Sequence, residues 1–229
     1  MSARTVGAVF FLLLMLAGCG RPLAPNERAF AEEVFRDDLN LDRVRVVHGF
    51  NPRPVPRQVR EVDVIPRQSG ICDRIAPATV RPPPGAWALY NQVHFAREFY
   101  LSESMPHWPK GMLLPQGLML LHELVHVWQW QNRSRTGYRP IRAALESVLF
   151  QDPYFNLPSD DAPFLDRGFE QQAALLEDYV CFALFDPSNA RRAEIRPFIA
   201  PFFRMDRIDQ IFDGSRPPAI LLEARPDEE

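Results

Sequence analysis

The chain has 229 residues, 46% of them hydrophobic, with 26 basic and 29 acidic side chains and a formal charge of −3. That content suffices for one compact core, and no repeat or break in composition calls for a second domain. There is no basic stripe, and Lys110 is the only lysine among the basic residues, so the composition argues against a nucleic-acid partner.

Taken in chain order, Arg4 supplies a positive start and residues 6–17 form an apolar run. That run is too short to cross a ~30 Å hydrocarbon core as a helix. Residues 1–18 are therefore read as a signal peptide. They lead into Leu16-Ala17-Gly18-Cys19, which resembles a bacterial lipobox. The resemblance implies that Cys19 is lipidated and anchors the mature chain to a membrane of the bacterial cell envelope. Gly20, where an aspartate would signal inner-membrane retention, points to the outer membrane, facing the periplasm. Without the signal the chain keeps 25 basic and 29 acidic residues. Cys72 and Cys181 remain in a disulfide-permissive setting. A Cys72–Cys181 pair and two buried thiols both fit, because sequence does not supply the Cα separation.

Residues 19–25 read as the lipidated cysteine and a short tether, and residues 26–213 as the folded domain. Asn26 is a plausible N-cap for a helix with Phe30, Val34 and Phe35 on one side. Strands are expected at 44–48 and 61–65, separated by a proline-rich loop at 51–58. Three prolines at 82–84 exclude helix and introduce another strand. In it Trp87, Leu89, Val93 and Phe95 alternate with Tyr90, Gln92 and His94. Residues 102–116, with His107, Trp108 and three prolines, read as a loop beside the cleft, and residues 214–229 as a disordered tail.

The chemistry sits between these segments. Residues 122–126 read His-Glu-Leu-Val-His. On a helix, histidines four apart share a face, so both rings can ligate one ion. Glu123 is displaced by roughly 100°, out of the ligand shell but within reach of a water, the general-base position of a metallopeptidase. The flanks, Gly117-Leu-Met-Leu-Leu before and Val127-Trp128 after, are apolar. Two histidines and a glutamate would be costly to bury there without a partner.

Catalytic Zn²⁺ takes three protein ligands and leaves a position open. A third histidine is excluded at the metzincin spacing, where Gln129 and Asn132 stand in place of glycine and histidine. Two glutamates qualify. Glu146 has the thermolysin-like separation from His126, but Leu145 and Phe150 stand where that pattern has Asn and Asp. Glu170 opens an amphipathic Phe-Glu-Gln-Gln-Ala helix, and Glu177 shares its face. One of those two could ligate while the other orients a ligand, so Glu170 is preferred. Tyr179, Tyr154, Tyr138, His94 and His107 are all available as oxyanion donors, and none is favoured. Trp128 and Trp130 read as core.

The His-Glu-Leu-x-His-Val-Trp-Gln helix followed by Glu-Gln-Gln-Ala resembles bacterial gluzincin-like zinc metallopeptidases described as Vgr-related or as eCIS-core type metalloproteases. The likeness runs from residues 27–30 through 44–47, the strand at Asn91, residues 122–131 and Pro153-Tyr154 to residues 170–179. It implies zinc ligands His122, His126 and Glu170, with Glu123 as catalytic base and a peptide or protein substrate. It also implies an α+β fold: a single zincin-like domain whose small sheet has an edge strand before the metal helix. That strand would pair with an extended substrate, and the metal helix would pack against the downstream Glu-bearing helix. Two other readings keep the fold: a catalytically silent zinc-binding or structural envelope lipoprotein, and an amidase of cell-wall peptide.

Overall fold

The computed structural model describes residues 20–35, 37–48, 64–65, 72, 84–150, 152–156, 161–214 and 218–222. Along them run α1 (Pro25–Val34), β1 (Arg45–His48), β2 (Val64–Ile65), β3 (Ala86–Leu89), β4 (Gln92–Phe95) and β5 (Gly111–Leu114). Then come α2 (Gln116–Gln131), α3 (Arg133–Thr136), α4 (Pro140–Leu149), α5 (Phe169–Phe185), α6 (Ala190–Ile199), α7 (Met205–Phe212) and β6 (Ala219–Leu222). The fold is α+β, with two three-stranded sheets ordered β1-β4-β3 and β2-β6-β5. Among the described residues no helix is long and apolar enough to cross a membrane. The signal segment, Cys19, the loop at 51–58 and most of the strand expected at 61–65 lie outside the described residues.

Helix α2 is apolar on almost every side because it is covered on almost every side. Leu120, Leu121, Leu124, Val125, Val127 and Trp128 are fully buried, with β3, β4 and β5 against the helix on one flank and α5 on the other. Full burial of such side chains is worth about 1.5–3 kcal/mol each, which fixes the motif helix at the centre of the domain. Gly117 lets it start close to β5: a Cβ there would fall 2.8 Å from Met112 Cγ. Trp128 packs among Phe164, Phe202 and Phe203, as its core reading implies. Trp130 is only partly buried and meets Tyr90.

Several expected elements take a different form. The strand expected through Asn91 is a hairpin, β3 and β4 joined by Tyr90 and Asn91, with Tyr90 at φ 55. Reversal at a two-residue turn changes which side chains share a face. Trp87 lies opposite His94 and stacks on it at 3.8 Å, while Ala86 and Ala88 lie opposite Phe95 and Val93. β3 is the sheet edge that packs on α2. Residues 102–116 are not loop throughout, because residues 111–114 form β5. Its partner is β6, which runs parallel to it within the segment expected to be disordered. Four consecutive buried residues pair with a strand more than a hundred residues away, a contact that local pattern does not reveal. Helix α1 begins at Pro25 rather than after an Asn26 cap. Proline suits the first helical position, and Glu27 accepts the Ala24 N–H at 2.9 Å.

Glu27 is fully buried and ties the amino-terminal segment down. Its carboxylate also accepts from Arg21 Nη1 at 2.6 Å, Arg21 Nη2 at 2.8 Å and the Ser104 N–H at 2.7 Å. A disulfide joins Cys72 to Cys181 on α5.

Candidate metal centre

Residues 122–126 occupy the middle of α2, and Glu170 stands in the first turn of α5. Packing of the two helices brings the three side chains together. His122 Nε2 and His126 Nε2 both lie 3.0 Å from Glu170 Oε2. Ligand atoms of His122, His126 and Glu170 all fall within 4.8 Å of one another, a group that could hold a metal ion. Glu146 is engaged differently. Its Oε2 accepts the Phe169 N–H at 2.8 Å, placing a carboxylate at the positive end of α5.

The far side of each imidazole is also held. His122 Nδ1 lies 3.0 Å from Glu177 Oε2, two turns along α5 from Glu170. His126 Nδ1 lies 2.8 Å from Gln129 Oε1. The Gln129 amide is oriented by its own contacts, since Nε2 donates to the Phe169 carbonyl and to Gln172 Oε1, both at 3.0 Å. Gln172 Nε2 in turn donates to the Arg167 carbonyl at 2.9 Å. Both acceptors therefore require N–H at Nδ1 of their histidine. In the neutral tautomer each Nε2 then turns a lone pair toward the lone pairs of Glu170 Oε2. Two such contacts at 3.0 Å are repulsive unless both rings are protonated or a cation lies among the three atoms. The donor set thus fits a metal ion, and the outer contacts match those that aim metal-ligating histidines.

Electrostatics agree. Burial opposes charge on His122, but its hydrogen bonds to Glu170 and Glu177 outweigh that and raise its pKa to about 10. Burial also opposes charge on His126, yet the Glu170 carboxylate raises its pKa. Burial works against ionised Glu170, but His126 and His122 hold its carboxyl well below the usual range. Its Oε1 accepts from Ser147 Oγ at 3.0 Å. Glu123 differs: burial dominates and pushes it up to about 7. Its Oε2 is buried without a hydrogen-bond partner, so one base stands uncommitted beside the histidine pair.

Two of the five expected oxyanion donors flank the cluster. The Tyr154 ring is 5.5 Å from His122 and the Tyr138 ring 6.2 Å from His126. Burial and the nearby Glu170 raise the pKa of Tyr138, so it stays a phenol able to donate. Tyr179 is taken up elsewhere, donating to Asp209 at 2.5 Å beneath Arg192. His94 stacks on Trp87, and burial lowers its pKa to about 4. His107 is exposed in the turn before β5. Gln129 and Gln172 fall within the two motif segments, but their spacing assigns them no role. The available signal was a glutamine three residues after His126 on an otherwise apolar helix, where a buried amide needs partners.

No protein-family model matches the chain, and no curated protein matches it. Among solved structures the chain is similar to the "Effector domain of Pseudomonas aeruginosa VgrG2b", at 21% identity and a TM-score of 0.47, over 86% of this chain and 94% of that one. A likeness that distant carries no argument about activity.

Proposed function

We propose that the protein is a zinc-dependent hydrolase of peptide bonds. The observation that carries this reading is the convergence of His122, His126 and Glu170 on one point, with the uncommitted carboxylate of Glu123 beside it. Three protein ligands with a base alongside suit an open catalytic site, whereas a structural zinc would take a fourth protein ligand and need no base. When bound, the ion supplies Lewis acidity, making a water easier to deprotonate and a carbonyl easier to attack.

The chain's own residues do the rest. Glu177 and Gln129 hold the two imidazoles in the tautomer that presents Nε2. Glu123 takes the proton as water attacks the amide carbon and returns it to the leaving amine. In the metal-free site burial pushes its pKa up to about 7, and a bound cation would draw it down. Tyr138 or Tyr154 donates to the oxyanion. Among the described residues β3 is an edge of its sheet beside α2, where an extended peptide would pair.

The same reading places the protein in the bacterial envelope, lipidated at Cys19 on the periplasmic face of the outer membrane. The Leu16-Ala17-Gly18-Cys19 motif supports this, and palmitate labelling lost in Cys19→Ala tests it.

Metal analysis and a cleavage screen of the full chain against denatured polypeptides test the activity. Glu123→Gln is expected to keep zinc and lose hydrolysis, and Glu170→Ala to weaken zinc binding. Full zinc occupancy in Glu170→Ala refutes the ligand assignment, and undiminished cleavage in Glu123→Gln refutes the base.

A further inference from the structure

Six large apolar side chains stand exposed among the described residues, and five of them belong to α4 and its C-cap. Ile141, Leu145, Val148, Leu149 and Phe150 are 51–79% exposed. At helical spacing Ile141, Leu145, Val148 and Leu149 fall within an arc of roughly 100°, so they form one ridge. The opposite face is spoken for. Ala143 packs with Tyr138 and Phe169, Glu146 accepts the Phe169 N–H, and Ser147 donates to Glu170. The ridge therefore points away from the metal centre, and a peptide bound at that centre does not cover it.

Charge says what does. Residues 133–150 hold four arginines and one glutamate in a chain that is negative overall. At the amino-terminal end of α4 an open hollow of about 1030 Å³ is lined by Arg133, Arg139 and Arg142 with Trp130 and Tyr138, and no acidic residue lines it. An apolar ridge beside arginines and a tryptophan is the pattern of a helix that lies in a membrane interface. A second copy of the chain would offer these arginines no countercharge on this face, because Glu146 is already tied to Phe169 and Arg142.

We propose that α4 seats the domain on an anionic bilayer. The ridge Ile141, Leu145, Val148 and Leu149 enters the boundary between headgroups and acyl chains, and Arg133, Arg139 and Arg142 hold lipid phosphates in the hollow. This contact is separate from an amino-terminal lipid, and it fixes which side of the domain faces the membrane.

The test uses the full chain with Cys19→Ser, so that Cys72 and Cys181 stay paired and a fluorescent probe can be placed at Val148→Cys, which is 79% exposed. A second labelled chain carries Ala193→Cys on α6 as control. On phosphatidylglycerol vesicles the probe at residue 148 is expected to shift to the blue, gain intensity several-fold and be quenched by brominated lipid, while the control does not. Arg139→Gln and Arg142→Gln should each raise the lipid needed for half the response about fivefold, the value of about 1 kcal/mol per arginine at such a surface. An aqueous emission at residue 148 on these vesicles overturns the proposal. So does an equal response at residue 193. A blue shift that appears without vesicles and grows with protein concentration overturns it in favour of a second copy.

Discussion

Zinc uptake by the metal-free chain should release protons, and the structure says from where. The His122 pKa is raised to about 10 by Glu170 and Glu177 against the cost of burial, so at pH 7 this ring is protonated and must lose its proton to become a ligand. Glu170 is already ionised there, because its pKa is lowered, and contributes nothing. One proton from His122 makes the apparent zinc affinity rise about tenfold per pH unit, or ~1.4 kcal/mol per unit. The rise continues until pH reaches about 10, so the gain from pH 7 to pH 9 is about a hundredfold. His126, also raised, adds to it. Calorimetric titration of the metal-free chain in buffers of different ionisation enthalpy reads the proton count directly. A slope of at least one proton per zinc is expected at pH 7, and Glu177→Gln should lower it by removing one of the two partners that hold His122 charged. A slope of zero with a pH-independent affinity would refute the assignment of His122 as a ligand held between two carboxylates.

Four further outcomes follow from contacts already described. Without metal, the stability that His122 gains from its raised pKa is full below about 6.5 and is lost as pH rises through about 10. Thermal melts at pH 7 and pH 10 should show that loss, and zinc should reduce it. Gln129→Ala removes the acceptor of His126 Nδ1 and should cost 10–100-fold in zinc affinity, measured by competition with a chelator. Glu27→Ala leaves Arg21 and two backbone N–H groups without their buried acceptor, and a loss of about 3–5 kcal/mol is expected in urea denaturation. Replacing Cys72 and Cys181 together by alanine opens a loop spanning 109 residues, and chain entropy sets the loss at about 4.8 kcal/mol. An unchanged urea midpoint would show that this bond restricts the unfolded chain little.

What the sequence made legible is what spacing along one helix encodes. His122, Glu123 and His126 read directly from residues 122–126, and the seven-residue interval from Glu170 to Glu177 already suggested one carboxylate at the metal and one behind a ligand. Choosing Glu170 over Glu146 needed the packing of α2 on α5, because both glutamates lie on helices downstream of the histidines and only one points at them. The role of Gln129 stays hidden within its motif because a glutamine on a helix usually faces solvent, and only burial reveals that it must be satisfied. The hairpin at Tyr90 and Asn91 lacks the glycine that commonly marks a two-residue turn, so alternation carried one strand through it. β5 and β6 find each other across the length of the chain, and the prolines on either side of β5 hid a strand inside a loop-like composition.

The two ligand histidines are kept in place by chemically unlike neighbours. Glu177 accepts from His122 as a carboxylate and brings a charge with it, whereas Gln129 accepts from His126 as an amide and brings none. The His126 ring is indexed on a relay of amides that ends at the Arg167 carbonyl, so acidification leaves its orientation untouched. His122 is held instead between two carboxylates of the same helix, Glu170 and Glu177. In a compartment that acidifies, a centre that loses its metal should keep both rings in place, with His122 charged between its two carboxylates. Return to neutral pH then needs a proton to leave, not a ring to be realigned, before zinc is taken up again.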